Sequence, residues 1–361
     1  MAGGADSLGM DLATGIRVRW ALAAAGLAAG VCALWIGLRF FGAEATLYVD
    51  DLSTALAAGA AAALCLRAAR RHGGRLRLFW GLLGWACAAW TLAETLWAVY
   101  DLVLNEPVPV PSWADVGYLS AIPVTVAALL VHPAMHDSAI RRARATIDGL
   151  VMATAVAFLG WTVVLGPLWR HSDLSTIGGV VDVAYPFGDI VMLALVVLIL
   201  RALEPRGRQA LWFVLGGILV MAISDSTYTY MTEVKNYASG NMLDEGWIVA
   251  YLLVAVGAYC GTRPEELPAR AAPDEPPSVV SLVVPYVVVL LALGAAAVEI
   301  ELGRHLTRVD WYMAMALVLL VLGRQALLVM DSMRLSRAHA GVTAYATLAG
   351  MAAPDAGHRS R

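Results

Sequence analysis

Long apolar runs separated by short charged connections repeat from one end of the chain to the other. Ten such runs lie near 20–41, 47–66, 78–104, 114–131, 148–168, 183–203, 210–231, 244–261, 279–300 and 310–330. Each approaches the roughly 20 residues that an α-helix needs to cross a hydrocarbon core. The second opens on Asp50 and Asp51 and the third is overlong, so these two fit the pattern least well. The pattern predicts an all-α integral membrane protein of about ten transmembrane helices.

The basic residues test that reading, because Lys and Arg in short loops concentrate on the cytoplasmic side. With the N-terminus inside, the cytoplasmic ends hold Arg17 and Arg19, then clusters at 67–77, 141–144, 201–208 and 263–270, and finally Arg324, Arg334, Arg337, Arg359 and Arg361. The outside holds Arg39, Arg170, Lys235, Arg304 and Arg308, so the 25 basic residues divide 20 to 5. Both termini are therefore expected to be cytoplasmic. A tail over 1–18, a membrane domain over 19–332 and a short tail over 333–361, expected to be disordered, complete the division.

Composition agrees: 60% of residues are apolar and 15% charged, against about 25% charged in a soluble domain. The net charge of −3 says little about partners, since orientation already explains the basic clusters; nucleic acid is not expected among them. The bilayer is the expected partner. The run ending in "AGVC" continues to Phe41 and is read as a retained span rather than a signal peptide. Cys32, Cys65, Cys87 and Cys260 fall inside predicted helices without a CxxC pair and are read as small core residues. The connection at 261–278 is rich in Pro and Glu and reads as a linker.

Helices entering from the outside begin with an acid near an aromatic ring: Asp51 after Tyr48, Asp115 before Tyr118, Asp189 after Tyr185, Asp244 before Trp247, Asp310 before Trp311. A helical hairpin repeated in one orientation would give this pattern. Two outgoing helices extend it, with Glu94, Trp97 and Asp101 in "ETLWAVYD" and Asp225 with Tyr228 in "DSTYTYM". Carboxylates within a membrane helix are retained where they face protein or water. For Asp115, Asp244 and Asp310 capping is the leading explanation, with Ser112, Asn241 and Thr307 each three residues earlier. Glu94 and Asp225 lie near helix C-termini, where the dipole disfavours them, and Asp189 lies a turn inside its helix if Pro186 is the first helical residue. Glu94, Trp97, Asp101, Asp189, Asp225 and Tyr228 are thus the candidate ligand-binding residues, to be weighed against a structural polar network.

No metal site or cofactor is expected. His132 and His136 have an i, i+4 spacing but lie in a cytoplasmic connection and are read as interfacial polar residues; His171 and His305 are single loop residues. GxSxG, HExxH and a Gly-rich phosphate loop are all absent from the sequence, so no catalytic residue is assigned and the protein is expected not to be an enzyme.

The pieces "ETLWAVYD", "PVPSWADVGYLSAIP", "AYPFGDIVMLAL", "SDSTYTYM", "YASGNMLDEGWIVAYLLV" and "GRQALLVMDSMRLSR" together resemble, in order over residues 78–337, the multi-pass membrane sensor regions of actinobacterial GGDEF and GGDEF–EAL proteins of cyclic di-GMP signalling. The resemblance implies a bacterial cell-membrane location and a sensing or scaffold role. It marks Glu94, Asp115, Asp189, Asp225 and Asp244 as family-like acids, and the last helix as the connection to an output. These 361 residues contain no GGDEF or EAL sequence, so catalysis is not implied. The expected function is a sensor that binds a small ligand or ion near the outer face and signals to a cytoplasmic protein, with homo-oligomers allowed. A small-molecule carrier or an anchoring subunit is the alternative.

Overall fold

The computed structural model describes residues 3–133, 139–166, 176–202, 209–233, 237–262, 279–303 and 305–352. The chain is all-helical, with no strand among these residues. In chain order the helices are α1 (Gly3–Leu38), α2 (Gly42–Arg71), α3 (Gly74–Ala98), α4 (Trp113–Val131), α5 (Ala139–Gly160), α6 (Ile177–Ala202), α7 (Gln209–Glu233), α8 (Glu245–Gly261), α9 (Val279–Glu301) and α10 (Arg308–Ala352). Among the described residues, eight helices are long and apolar enough to cross a membrane, and the apolar part of α8, Glu245–Cys260, is shorter. Wide π-helical turns prolong α3 over Val99–Leu104 and α5 over Trp161–Leu165, which accounts for the excess length of the third apolar run.

Two boundaries differ from the sequence reading. Helix α6 starts at Ile177, not near Pro186, because the Thr176 hydroxyl accepts the Gly179 N–H at 3.1 Å and caps the helix earlier. Pro186 then lies inside the helix, where it has no N–H to offer the Asp182 carbonyl. Helix α10 continues through 333–352, where a structureless tail is expected; the Ala-rich sequence there is a good helix former.

Helices α2, α3, α4, α6, α7 and α8 share one hydrophobic core. A smaller core joins α5 to α9 and α10 through Val151, Phe158, Ala292 and Leu317. Helix α1 packs at the periphery against α8 and α2. The six-helix body is tight because its seams are built from small residues, which let backbones approach without a hydrophobic driving force between helices. On α2, Ala58, Ala61, Cys65 and Ala68 form one such stripe, all fully buried, with Cys65 against Cys87 of α3. All four cysteines are free thiols.

The α7–α8 seam yields a prediction. A Cβ on Gly217 would sit 2.7 Å from the Ala250 carbonyl oxygen, a backbone atom that cannot swing aside, whereas one on Gly26 would meet nothing within 4 Å. Gly217→Ala is expected to lower stability by about 1–3 kcal/mol through overpacking. Gly26→Ala is expected to be neutral or to stabilise by up to about 1 kcal/mol through helix propensity. Thermal melting of the two variants in detergent checks both signs.

Candidate functional site

Five helices present acid and aromatic side chains at i, i+3, i+4 and i+7 spacings, which place them on one face of each helix, and a sixth adds acids. On α3 the face is Trp90, Glu94 and Trp97; on α7 it is Met221, Asp225, Tyr228 and Thr232. Helix α6 contributes Asp182, Tyr185, Asp189 and Met192, and α8 with its cap contributes Asp244, Trp247 and Tyr251. Helices α4 and α2 add Asp115 with Tyr118, and Asp50 with Asp51 and Thr54. All line a single cavity of about 210 Å³. Every contributing segment belongs to the same end of the bundle: the starts of α2, α4, α6 and α8 and the finishes of α3 and α7.

The walls are hydrogen-bonded across helices. Tyr251, 1% exposed, donates its hydroxyl to Glu94 Oε1 at 2.8 Å, and Tyr118 lies beside Glu94. Trp247 Nε1 donates to Asp225 Oδ1 at 2.7 Å, and Asp225 in turn is hydrogen-bonded to the Asp189 carboxyl. Tyr228 stands among three rings in edge-on contact, with centroids 6.2 Å from Trp97, 5.8 Å from Trp247 and 4.7 Å from Tyr237.

The three acids read as caps do a second job. Asp115 Oδ2 accepts the Ser112 N–H at 2.6 Å, and its Oδ1 accepts the Tyr185 hydroxyl at 2.5 Å. Asp244 Oδ2 accepts the Gly240 and Asn241 N–H groups at 2.8 and 3.0 Å, and its Oδ1 accepts the Tyr237 hydroxyl at 3.0 Å. Asp310 Oδ2 accepts the Thr307 N–H at 2.7 Å, and its Oδ1 accepts the Thr162 hydroxyl at 3.3 Å. In each case one oxygen holds the start of a helix and the other ties it to a neighbouring element or loop.

The charge is one-sided. Eight carboxyls line the cavity and no Lys, Arg or His does, among the described residues. Two pairs of acids meet directly, Asp189 with Asp225 and Asp50 with Asp244. A carboxyl donates to another carboxyl only when it carries a proton, since neighbouring carboxylates resist double ionisation. A pair that shares one proton carries a single negative charge rather than two. At Asp244, before α8, burial raises the pKa above the ordinary carboxylate range, while hydrogen bonds from Asp50, Asn241, Tyr237 and Gly240 pull it down. Three buried oxygens on the wall have no hydrogen-bond partner: Asp189 Oδ2, Asp50 Oδ1 and Asp51 Oδ2. Their residues are 4%, 3% and 7% exposed.

Five of the six sequence-derived candidates, Glu94, Trp97, Asp189, Asp225 and Tyr228, line this cavity. Asp101 does not: the π-helical turn starting at Val99 breaks the register that would place it below Glu94 and Trp97. Asp115 and Asp244 join the cavity wall, whereas Asp310 lines a separate small pocket with His305. His132 is buried rather than interfacial, edge-on to Phe79 at 4.9 Å, and burial lowers its pKa to about 4, so the ring is neutral. His136 and His171 lie outside the described residues. Sequence reasoning missed Trp90, Tyr118, Tyr237 and Tyr251 as site residues. Asp244, Trp247 and Tyr251 are spaced i, i+3, i+7 within an apolar run, and that spacing was the available signal.

Removing the Tyr251 hydroxyl tests the wall. Tyr251→Phe keeps the ring and strips a hydrogen bond from buried Glu94, so it is expected to cost about 1–3 kcal/mol, read as a lower melting temperature. Comparison with family models, with curated proteins and with solved structures finds no match for this chain.

Proposed function

We propose that this protein is a non-enzymatic, multi-pass sensor of the bacterial cell membrane. It binds a small ligand or ion near the outer face and passes the event to a cytoplasmic partner. In this reading all ten helices cross the membrane and both termini are cytoplasmic, as the distribution of Lys and Arg favours, which puts the cavity end of the bundle outside. The observation that carries the proposal is the meeting of five acid–aromatic helix faces and the acidic start of α2 on one cavity. Buried carboxyls are costly in a membrane and are kept where they act. Occupancy shifts the helices only through a difference in affinity between two arrangements. Helix α10, which extends to Ala352, is the element that carries the shift outward from the bundle.

A carrier is the second reading, since one state of an alternating-access carrier is also open at one end only. Below Trp90, Met192, Met221 and Tyr251 the six-helix body closes into dense packing around Leu83, Ala61, Cys65, Val196 and Val214, which leaves a one-ended chamber. Fusing a diguanylate cyclase domain after Ala352 tests the reading, following the resemblance to sensor regions of that signalling class. Cellular cyclic di-GMP is expected to differ at least twofold between the parent chimaera and its Asp189→Asn, Asp225→Asn variant at equal protein levels. Equal output from both would remove the sensor reading, and counterflow of a solute in proteoliposomes would replace it with a carrier.

A further inference from the structure

We propose that the cavity takes a small aliphatic ammonium ion, whose N–H groups bond the unpartnered oxygens of Asp189, Asp50 and Asp51 and whose carbons lie against Tyr228, Trp97 and Trp247. The proposal rests on the cavity being the binding site of the sensor and names what it binds. Three observations carry it. The wall is acidic without a basic residue among those described, so a ligand is cationic. The three free oxygens are buried acceptors on that wall, and a buried acceptor left unmet is destabilising, so the ligand brings donors. The rings are the surface that attracts a desolvated cation.

A metal ion fits less well, because among the described residues no three His, Cys, Asp or Glu side chains gather closely enough to hold one. The carboxyls are instead spread around the wall and interleaved with rings. Size sets the remaining limit. At about 210 Å³ the cavity lies below the roughly 300–1,000 Å³ of pockets for drug-sized molecules. The two carboxyl pairs, one from α6 and α7 and the other involving α2 and the α8 cap, supply two separate negative poles, which a short diamine can engage at both ends.

The test uses the purified full chain in detergent, titrated with putrescine, tetramethylammonium, Mg²⁺ and 1,4-butanediol, and reads tryptophan fluorescence and calorimetric heat. Saturable binding of putrescine is expected, at least tenfold tighter than tetramethylammonium, which has no N–H, and tighter than the neutral diol. Asp189→Asn and, independently, Asp50→Asn are expected to weaken it at least tenfold. Glu301→Gln, at the end of α9 and outside the cavity, leaves it unchanged. Equal affinity for tetramethylammonium overturns the role given to the free oxygens. Binding of Mg²⁺ alone, or of no probe, overturns the ligand class. If putrescine fails while the cyclase chimaera still responds to the Asp189 and Asp225 substitutions, the ligand class falls and the sensor stands. If putrescine binds and the chimaera is silent, the reverse holds.

Discussion

Arg324→Ala is expected to destabilise the protein by about 3–5 kcal/mol, the cost of leaving a buried charge without its partner. Arg324 is 2% exposed although it stands in the apolar half of α10. Its Nε donates to Asp148 Oδ1 of α5 at 2.6 Å, and its guanidinium also donates to the Tyr286 hydroxyl of α9. One side chain thus joins the three helices of the smaller core. Helix α10 packs chiefly on α5, so this is also where α10 is fastened to the bundle. Asp148→Ala is expected to be comparably damaging. The double variant Arg324→Leu, Asp148→Leu should recover most of the loss, since apolar residues of similar volume replace a buried pair at little cost. Thermal unfolding of the parent and the three variants checks all three expectations.

Asp225→Ala is the second large effect. The substitution orphans two buried groups, the Trp247 indole N–H and the Asp189 carboxyl, at about 1–3 kcal/mol for each. Asp225→Asn has a different fate. Its amide oxygen still accepts from Trp247 and its amide nitrogen donates to Asp189, taking the place of the shared proton. The expectation is a loss of several degrees in melting temperature for alanine and a much smaller one for asparagine. If both variants melt alike, the carboxyl pair has no structural weight.

Much of the fold is legible in the sequence, because the length of an apolar run is a local property. The site is legible in part. Glu94 with Trp97, and Asp225 with Tyr228, stand out because an acid on the wrong end of a helix dipole demands an explanation. Asp189 stands out because it lies beyond any capping position; α6 beginning at Ile177 puts it more than three turns inside. Tyr251 and Trp90 do not stand out, since an aromatic ring in a membrane helix is ordinary until a carboxyl from another helix reaches it. Asp101 was misplaced because a π-helical turn has no signature in apolar spacing. The double use of Asp115 and Asp244, as cap and as cavity wall, was hidden because capping alone explained them.

The central claim is that these six helices form a chamber open to the outside of the cell. Thr232 lies on the chamber wall at the end of α7 and is exposed, and Arg71 is exposed at the opposite end of the bundle. In a chain whose four cysteines are replaced by alanine, Thr232→Cys is predicted to react with a membrane-impermeant maleimide in intact cells. Arg71→Cys should react only after permeabilisation. Labelling of Arg71→Cys in intact cells, with Thr232→Cys protected until the membrane is opened, would contradict the account.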